Sequence, residues 1–248
     1  MSEASTKNRR IHLIAFDADD TLWHSENLYA AAQAKFAGLM APYAGESTAL
    51  STLHETEIRN LQPYGFGVKA FVLSMIETAI QLSQGRVDSN VVAALLATGK
   101  DMLAAEVELL DGVEEAVSAL AAEYPLMVIT KGDLGHQASK LERSGLAQHF
   151  RYVEIVADKN REVYVILFAK HGIDPSRVLM VGNSLKSDVI PVLELGGWGV
   201  FAPYAILWAH EHAELPETLA PRFREIARLD LLPGVVQEIE NSTQMAQI

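Results

Sequence analysis

The sequence predicts an α/β protein: a three-layer α/β/α, Rossmann-like core on a parallel five-stranded central sheet, with a helical domain inserted into it. Three observations predict this. Short apolar runs of strand length recur, each closed by polar residues that chemistry can use. From residue 126 onward these runs alternate with helix-length segments, the rhythm of βαβ units. Asp17 and Thr130, at the ends of the first two runs, are 113 positions apart, with helical but no strand-like periodicity between the runs, where a crossover needs only a dozen or more.

The first run is 11–16, IHLIAF. Strands of parallel sheets are apolar throughout because helices cover both faces. Asp17, Asp19 and Asp20 follow at once, then Thr21. In open α/β sheets ligands bind beyond the carboxyl ends of the strands. Carboxylates crowded there repel one another unless something positive sits among them. A hard cation such as Mg²⁺, held by one or two carboxylates plus phosphate oxygens and waters, is the usual remedy. A lone Asp after a strand is commonly a turn or cap residue. D-x-D-x-T directly after an apolar strand is a more specific signal.

Residues 27–40 suit a helix stopped near Pro42 and Gly45, and 47–60 a second ended by Pro63 and the Tyr64-Gly65-Phe66-Gly67 turn. The clearest helix is 68–83, where Phe71, Val72, Met75, Ile76, Ala79, Ile80 and Ser83 keep the i, i+3, i+4, i+7 pattern. One more spans 91–110, interrupted at Gly99. Roughly 85 to 90 of these residues are surplus to a crossover. They form an inserted helical domain, or several helices packed on the sheet edge, and 113–123 is the crossover helix proper.

The second strand is 126–130. Its Thr130 hydroxyl and the N–H groups of Lys131-Gly132-Asp133 suit a phosphate, or simply cap the next helix. A helix at 137–144 ends at Gly145, and the third strand is 152–156. Lys159 lies just past it, placed to neutralise a phosphoryl group and a carboxylate together, or to stand in solvent. A helix at 162–171 ends at Gly172, and the fourth strand is 178–181. In the following Gly182-Asn183-Ser184-Leu185-Lys186-Ser187-Asp188 the glycine allows a tight turn. Asn183 and Asp188 offer oxygens for a metal, or the segment is a turn capped at Ser187 or Asp188. A helix at 188–195 and a fifth strand at 199–202 complete the alternation. Trp208, His210 and Glu211 cluster near the end without an assignable role, and 241–248 reads as a polar tail.

Composition sets the outer limits. The chain is 49% hydrophobic, ample for a core, and its net charge is −12. Nucleic-acid and anionic-membrane partners usually need a basic face, so neither is expected. With no cysteine, disulfides, thiolate zinc sites and cysteine nucleophiles are excluded. Residues 1–10 read as a loose polar tail without a cleavage-like small-residue site, and no stretch approaches the roughly 20 apolar residues of a membrane span. A soluble, cytoplasmic protein is expected.

Asp17-Ala18-Asp19-Asp20-Thr21 resembles the first motif of the haloacid dehalogenase (HAD) superfamily, mostly phosphatases that work through an aspartyl-phosphate. Thr130 matches the Ser/Thr of its second motif and Lys159 the lysine of its third. VGNSLKSD resembles the fourth, whose usual form is G-D-x(3–4)-D. The four fall in order, each at the end of a predicted strand. The resemblance implies a Mg²⁺-dependent phosphatase acting on a small phosphorylated metabolite, with 1–22 and 111–248 as core and 23–110 as a C1-type cap. Asp17 is then the nucleophile, and Asp19 protonates the leaving alcohol and later deprotonates water. Thr130, Lys131 and Lys159 hold the phosphoryl group. Mg²⁺ is held by the Asp17 carboxylate, the Asp19 backbone carbonyl, and Asn183 or Asp188. Two departures stand out: Asn183 replaces an acid, which implies weaker metal affinity, and Lys131 replaces an Asn or Ser. Phe66 and Lys69, at a loop-to-helix junction of the cap, and Trp23, beside His24 just past the first motif, are candidates for substrate contact. A phosphomutase would use the same residues. A phospho-aspartate receiver would share the acids, Thr and Lys, but not the D-x-D spacing or the large insert.

Overall fold

The structure, a computed structural model, describes residues 9–206 and 208–242. Most of the polar tails read at 1–10 and 241–248 lies outside the described residues. The elements in chain order are β1 (Leu13–Phe16), α1 (Glu26–Met40), α2 (Glu46–Tyr64), α3 (Val68–Leu82), α4 (Ser89–Ala104), α5 (Val113–Ala121), β2 (Leu126–Lys131), α6 (Leu134–Arg143), β3 (Phe150–Val156), α7 (Arg161–Lys170), β4 (Val178–Gly182), α8 (Ile190–Glu194), β5 (Trp198–Phe201), β6 (Phe223–Glu225) and α9 (Leu232–Asn241). They fall into two compact units. Within the described residues, one takes the chain up to His24, Val107–Thr130, and everything from Lys140 onward. The other takes Ser25–Glu106 and Lys131–Ser139.

The first unit is built on a parallel sheet of order β3-β2-β1-β4-β5-β6. This is the doubly wound order, whose switch point lies between β1 and β4. Because side chains alternate along a strand, β1 feeds two cores. Ile14 and Phe16 pack with Val128, Val181 and Val200 against Val113 and Val117 of α5 and Val236 and Ile239 of α9. Leu13 and Ala15 pack with Met127, Ile129 and Met180 against Tyr164, Leu167 and Phe168 of α7. Helices thus cover both faces, and β1 and β4 are buried along their whole length, as their unbroken apolar runs require.

The sheet has six strands, not five. The extra strand, Phe223–Glu225, pairs with β5 at the sheet edge and reads FRE. Two half-buried residues and one exposed one carry no apolar run, so periodicity passes over them. The turn after β4 also differs from the expected helix at 188–195. Leu185–Val189 is a π-helical turn, and regular α-helix begins only at Ile190.

The second unit holds α1 to α4 around Phe36, Met40, Leu53, Phe71, Met75, Leu95 and Met102. α4 starts and stops earlier than the 91–110 expected and runs unbroken through Gly99. A Cβ built there would lie 2.3 Å from Val72 Cγ2 on α3. The glycine lets two helices approach closely and does not interrupt one. No helix among the described residues is long and apolar enough to cross a membrane.

Candidate active site

The carboxyl ends of β1 and β4 adjoin at the switch point, and the backbone ties them together: the Asp17 N–H donates to Val181 O at 2.9 Å. After Asp17 the chain turns sharply. The N–H groups of Thr21 and Leu22 donate to Ala18 O, and Asp20 takes a positive φ of 61°. A non-glycine residue in that region is uncommon, although Asp tolerates it better than most. The turn aims Asp17 and Thr21 at one another, and Thr21 Oγ1 lies 3.1 Å from Asp17 Oδ2.

Lys159 supplies the positive charge that the acids demand. Its ammonium pairs with Asp17 Oδ1 and donates to Asp188 Oδ1 at 2.8 Å. The side chain is only 1% exposed. Burial pulls its pKa down, but the attraction of Asp17 and Asp188 outweighs this and the net shift is upward. The Asp188 carboxyl is pushed up to about 7, first by burial and also by Asp17, with Lys159 and the Ser184 N–H opposing. Two enclosed carboxylates on one ammonium leave a negative charge in excess.

The loop after β4 closes the cluster. Asn183 N–H donates to Thr21 Oγ1 at 3.1 Å, and its Oδ1 lies 3.4 Å from the same hydroxyl. Ser184 N–H donates to Asp188 Oδ2 at 3.0 Å. Gly182 is required by this crowding, since a Cβ there would meet Asp188 Oδ2 at 2.3 Å. Tyr164, fully buried, donates its hydroxyl to Ser187 O at 3.1 Å.

Asp19 points elsewhere. Its Oδ1 accepts from Trp23 Nε1 at 2.6 Å and pairs with the ammonium of Lys140, which also lies 5.9 Å from the Trp23 ring centroid. Trp23 is 1% exposed, so its ring is packed beneath Asp19 and not laid open to a substrate. His24 Nδ1 lies 2.6 Å from the Tyr204 hydroxyl.

The structure therefore gathers Asp17, Lys159, Asp188, Asn183 and Thr21 into one group, with Asp19 held alongside by Lys140 and Trp23. Thr130 is buried near the end of β2. Lys131, Phe66 and Lys69 belong to the second unit. There Lys131 Nζ lies 4.3 Å from the Phe66 ring centroid, and Lys69 donates to Asp133 at 2.8 Å. The bond from Lys69, with the His136 N–H, lowers the Asp133 pKa. Sequence reasoning missed Lys140. Its signal was the spacing Gln137, Lys140, Leu141, which puts a lysine on the buried face of α6. It also missed the partners of Glu211, whose Oε2 accepts from the hydroxyls of Ser184 and Ser187 at 2.6 and 2.5 Å.

Among the described residues no three His, Cys, Asp or Glu side chains cluster as a metal site. The donor set that does exist is the Asp17 and Asp188 carboxylates with the Asn183 amide oxygen. All-oxygen donors with excess negative charge fit a hard divalent cation, which fills its remaining positions with waters and substrate oxygens.

A family model for haloacid dehalogenase-like hydrolases matches residues 11–196. The crystal structure of a haloacid dehalogenase-like family hydrolase from Xanthomonas campestris is 38% identical, covers 97% of both chains and superposes with a TM-score of 0.86. The pyrimidine 5'-nucleotidase YjjG of Escherichia coli is 27% identical over 84% of this chain and 90% of its own length. The N-acylneuraminate-9-phosphatase of Mus musculus is 25% identical over 74% of this chain and 75% of its own.

Proposed function

The chain belongs to the haloacid dehalogenase-like hydrolases, and on that premise we propose that it is a Mg²⁺-assisted phosphatase that hydrolyses a small phosphomonoester through an aspartyl-phosphate on Asp17. The observation that carries this reading is the Asp17–Lys159–Asp188 cluster with Asp19 two residues beyond the nucleophile.

The Asp17 carboxylate attacks phosphorus in line. The P–O bond to the alcohol breaks as the bond to Asp17 forms. Asp19 gives the leaving oxygen its proton, then takes one from the water that hydrolyses the acyl-phosphate. Trp23 and Lys140 fix its position. Thr130 and Lys159 hold the phosphoryl oxygens, and Lys159 also keeps Asp17 from repelling the incoming anion. Asp17, the Asp19 backbone carbonyl, Asn183 and Asp188 would hold Mg²⁺, which supplies charge for the equatorial oxygens when bound. The neutral Asn183 makes that affinity weaker than in an all-carboxylate site.

We assign the helical segment Ser25–Glu106 the role of cap, with Phe66 and Lys69 as its substrate-selecting side chains, and assign Lys131 to the phosphoryl group. Two relatives are named for a pyrimidine nucleotide and an N-acylneuraminate 9-phosphate, so nucleoside monophosphates and phosphorylated sugars are the first compounds to try. The test is phosphate release from such a panel, with Mg²⁺ and with a chelator. Metal-dependent turnover that vanishes in Asp17→Asn supports the reading. Turnover that survives Asp17→Asn, or none on any compound, contradicts it.

A further inference from the structure

Glu211 sits on a short 3-10 turn, Ala209–Glu211, far along the chain from the four motifs, and is 8% exposed. A carboxylate placed this deep needs partners. One of its oxygens, Oε2, takes hydroxyl hydrogens from both Ser184 and Ser187, at 2.6 and 2.5 Å. Short O–H···O⁻ bonds of this kind are about twice as strong as neutral ones. Ser184 Oγ in turn accepts the Ser187 N–H at 3.0 Å. Next to them Lys186 Nζ donates to His210 O at 2.8 Å. Two segments 24 to 27 positions apart are thus joined by three contacts.

What these contacts hold is the turn that presents Asn183 and Asp188. Ser184 and Ser187 are the N-cap and the third residue of the π-helical turn Leu185–Val189. Such turns are rare and are frequently found at functional sites. The turn needs support from outside itself. Ser184 N–H also holds Asp188 Oδ2, and Ser187 O accepts the Tyr164 hydroxyl. Ser184 therefore links Glu211 on one side to the Asp188 carboxylate on the other, and Ser187 links Glu211 to Tyr164.

We propose that Glu211 is a positioning residue: by clamping Ser184 and Ser187 it fixes the turn after β4, and so sets how well Asp188 and Asn183 hold a divalent cation. This deepens the metal-assisted phosphatase reading and rests on it for the identity of the cation. Partners behind metal ligands are typically worth about 10- to 100-fold in affinity. Glu211→Ala removes the clamp. Glu211→Gln keeps a carbonyl oxygen that accepts both hydroxyls.

The experiment is calorimetric titration of the full-length protein with MgCl₂, without substrate, alongside phosphate release and far-UV circular dichroism. The expected result is Mg²⁺ binding weakened at least tenfold in Glu211→Ala, and restored to within about threefold of the unmodified protein in Glu211→Gln. If Glu211→Ala fails to fold, the double variant Ser184→Ala with Ser187→Ala must show the same loss. Mg²⁺ binding that is unchanged in these variants, or absent in the unmodified protein, overturns the proposal. Weakened Mg²⁺ binding in a protein that releases no phosphate from any compound leaves the clamp standing and removes the phosphatase reading. Normal phosphate release with unchanged Mg²⁺ binding in Glu211→Ala does the reverse.

Discussion

At the scale of single residues, Lys159 shares one ammonium between Asp17 and Asp188, and all three side chains are 10% exposed or less. Breaking a buried pair from one side leaves charge without compensation, at about 3–5 kcal/mol. Lys159→Ala should therefore destabilise the folded chain by about that amount at pH 8, as well as stopping turnover. The loss should shrink at pH 5. Asp188 already sits at about 7 with the lysine present, and without that cation its carboxyl takes up a proton more readily still. Stability of the variant thus falls as pH rises through that range, and urea midpoints at the two pH values read it. Equal losses at both would mean that the carboxylates do not drive the effect. Lys140→Met makes a separate point. It frees Asp19 from one of two anchors and should lower kcat about tenfold with KM held, since only proton transfer is misaligned. Asp17 was legible in the sequence because it follows an apolar strand directly, and Lys159 because it lies just past another predicted strand, in order with the other motifs. Lys140 was not, because a lysine on a helix is ordinarily solvated and only its partner Asp19, 121 positions away, explains its burial.

At the scale of elements, the α3–α4 contact depends on Gly99. Gly99→Ala would push a methyl into Val72 Cγ2, and overpacking of that kind costs about 1–3 kcal/mol. The gain in helix propensity from the same change is about 1 kcal/mol, so the prediction is a net loss of up to about 2 kcal/mol. Companion truncation Val72→Ala should recover part of it, and a stable Gly99→Ala would show that the helices can separate without loss. α2 carries a pH dependence of its own. Burial pushes the Glu57 carboxyl up to about 7 from 4.5. The folded chain then binds the proton more tightly than the unfolded one, so stability is highest below pH 4.5 for this group. It declines as pH rises to about 7, by about 3 kcal/mol in all. Glu57→Gln should flatten that decline in urea melts followed by helical circular dichroism. The same elements show what sequence could not carry. A glycine in a helical pattern reads as an interruption, because only the partner helix reveals the close approach. β6 is too short and too polar to register, although β5 can pair with it by backbone alone.

At the scale of the whole molecule, the sheet order places the ends of β1 and β4 side by side, and everything chemical follows from that adjacency. Residues 166 positions apart, Asp17 and Asn183, are bridged through one hydroxyl, Thr21. The alternation of apolar runs with helices announced the doubly wound core, and the long helical stretch announced an insertion. The choice of substrate was not legible, since no spacing rule marks the side chains that would make it. Removing the metal should leave the fold in place and abolish turnover, because Lys159 already neutralises part of the acidic cluster. Unchanged circular dichroism with lost phosphate release in a chelator checks this. The central claim is that phosphorus becomes bonded to Asp17 itself. The direct measurement is borohydride trapping during turnover with Mg²⁺ and an active phosphomonoester, followed by mass spectrometry of the peptide that spans Asp17. An aspartyl-phosphate is reduced to homoserine at that position, and the account predicts homoserine at residue 17 only when substrate is present. Phosphate released at the normal rate with Asp17 never converted would mean that water attacks phosphorus directly, and would contradict it.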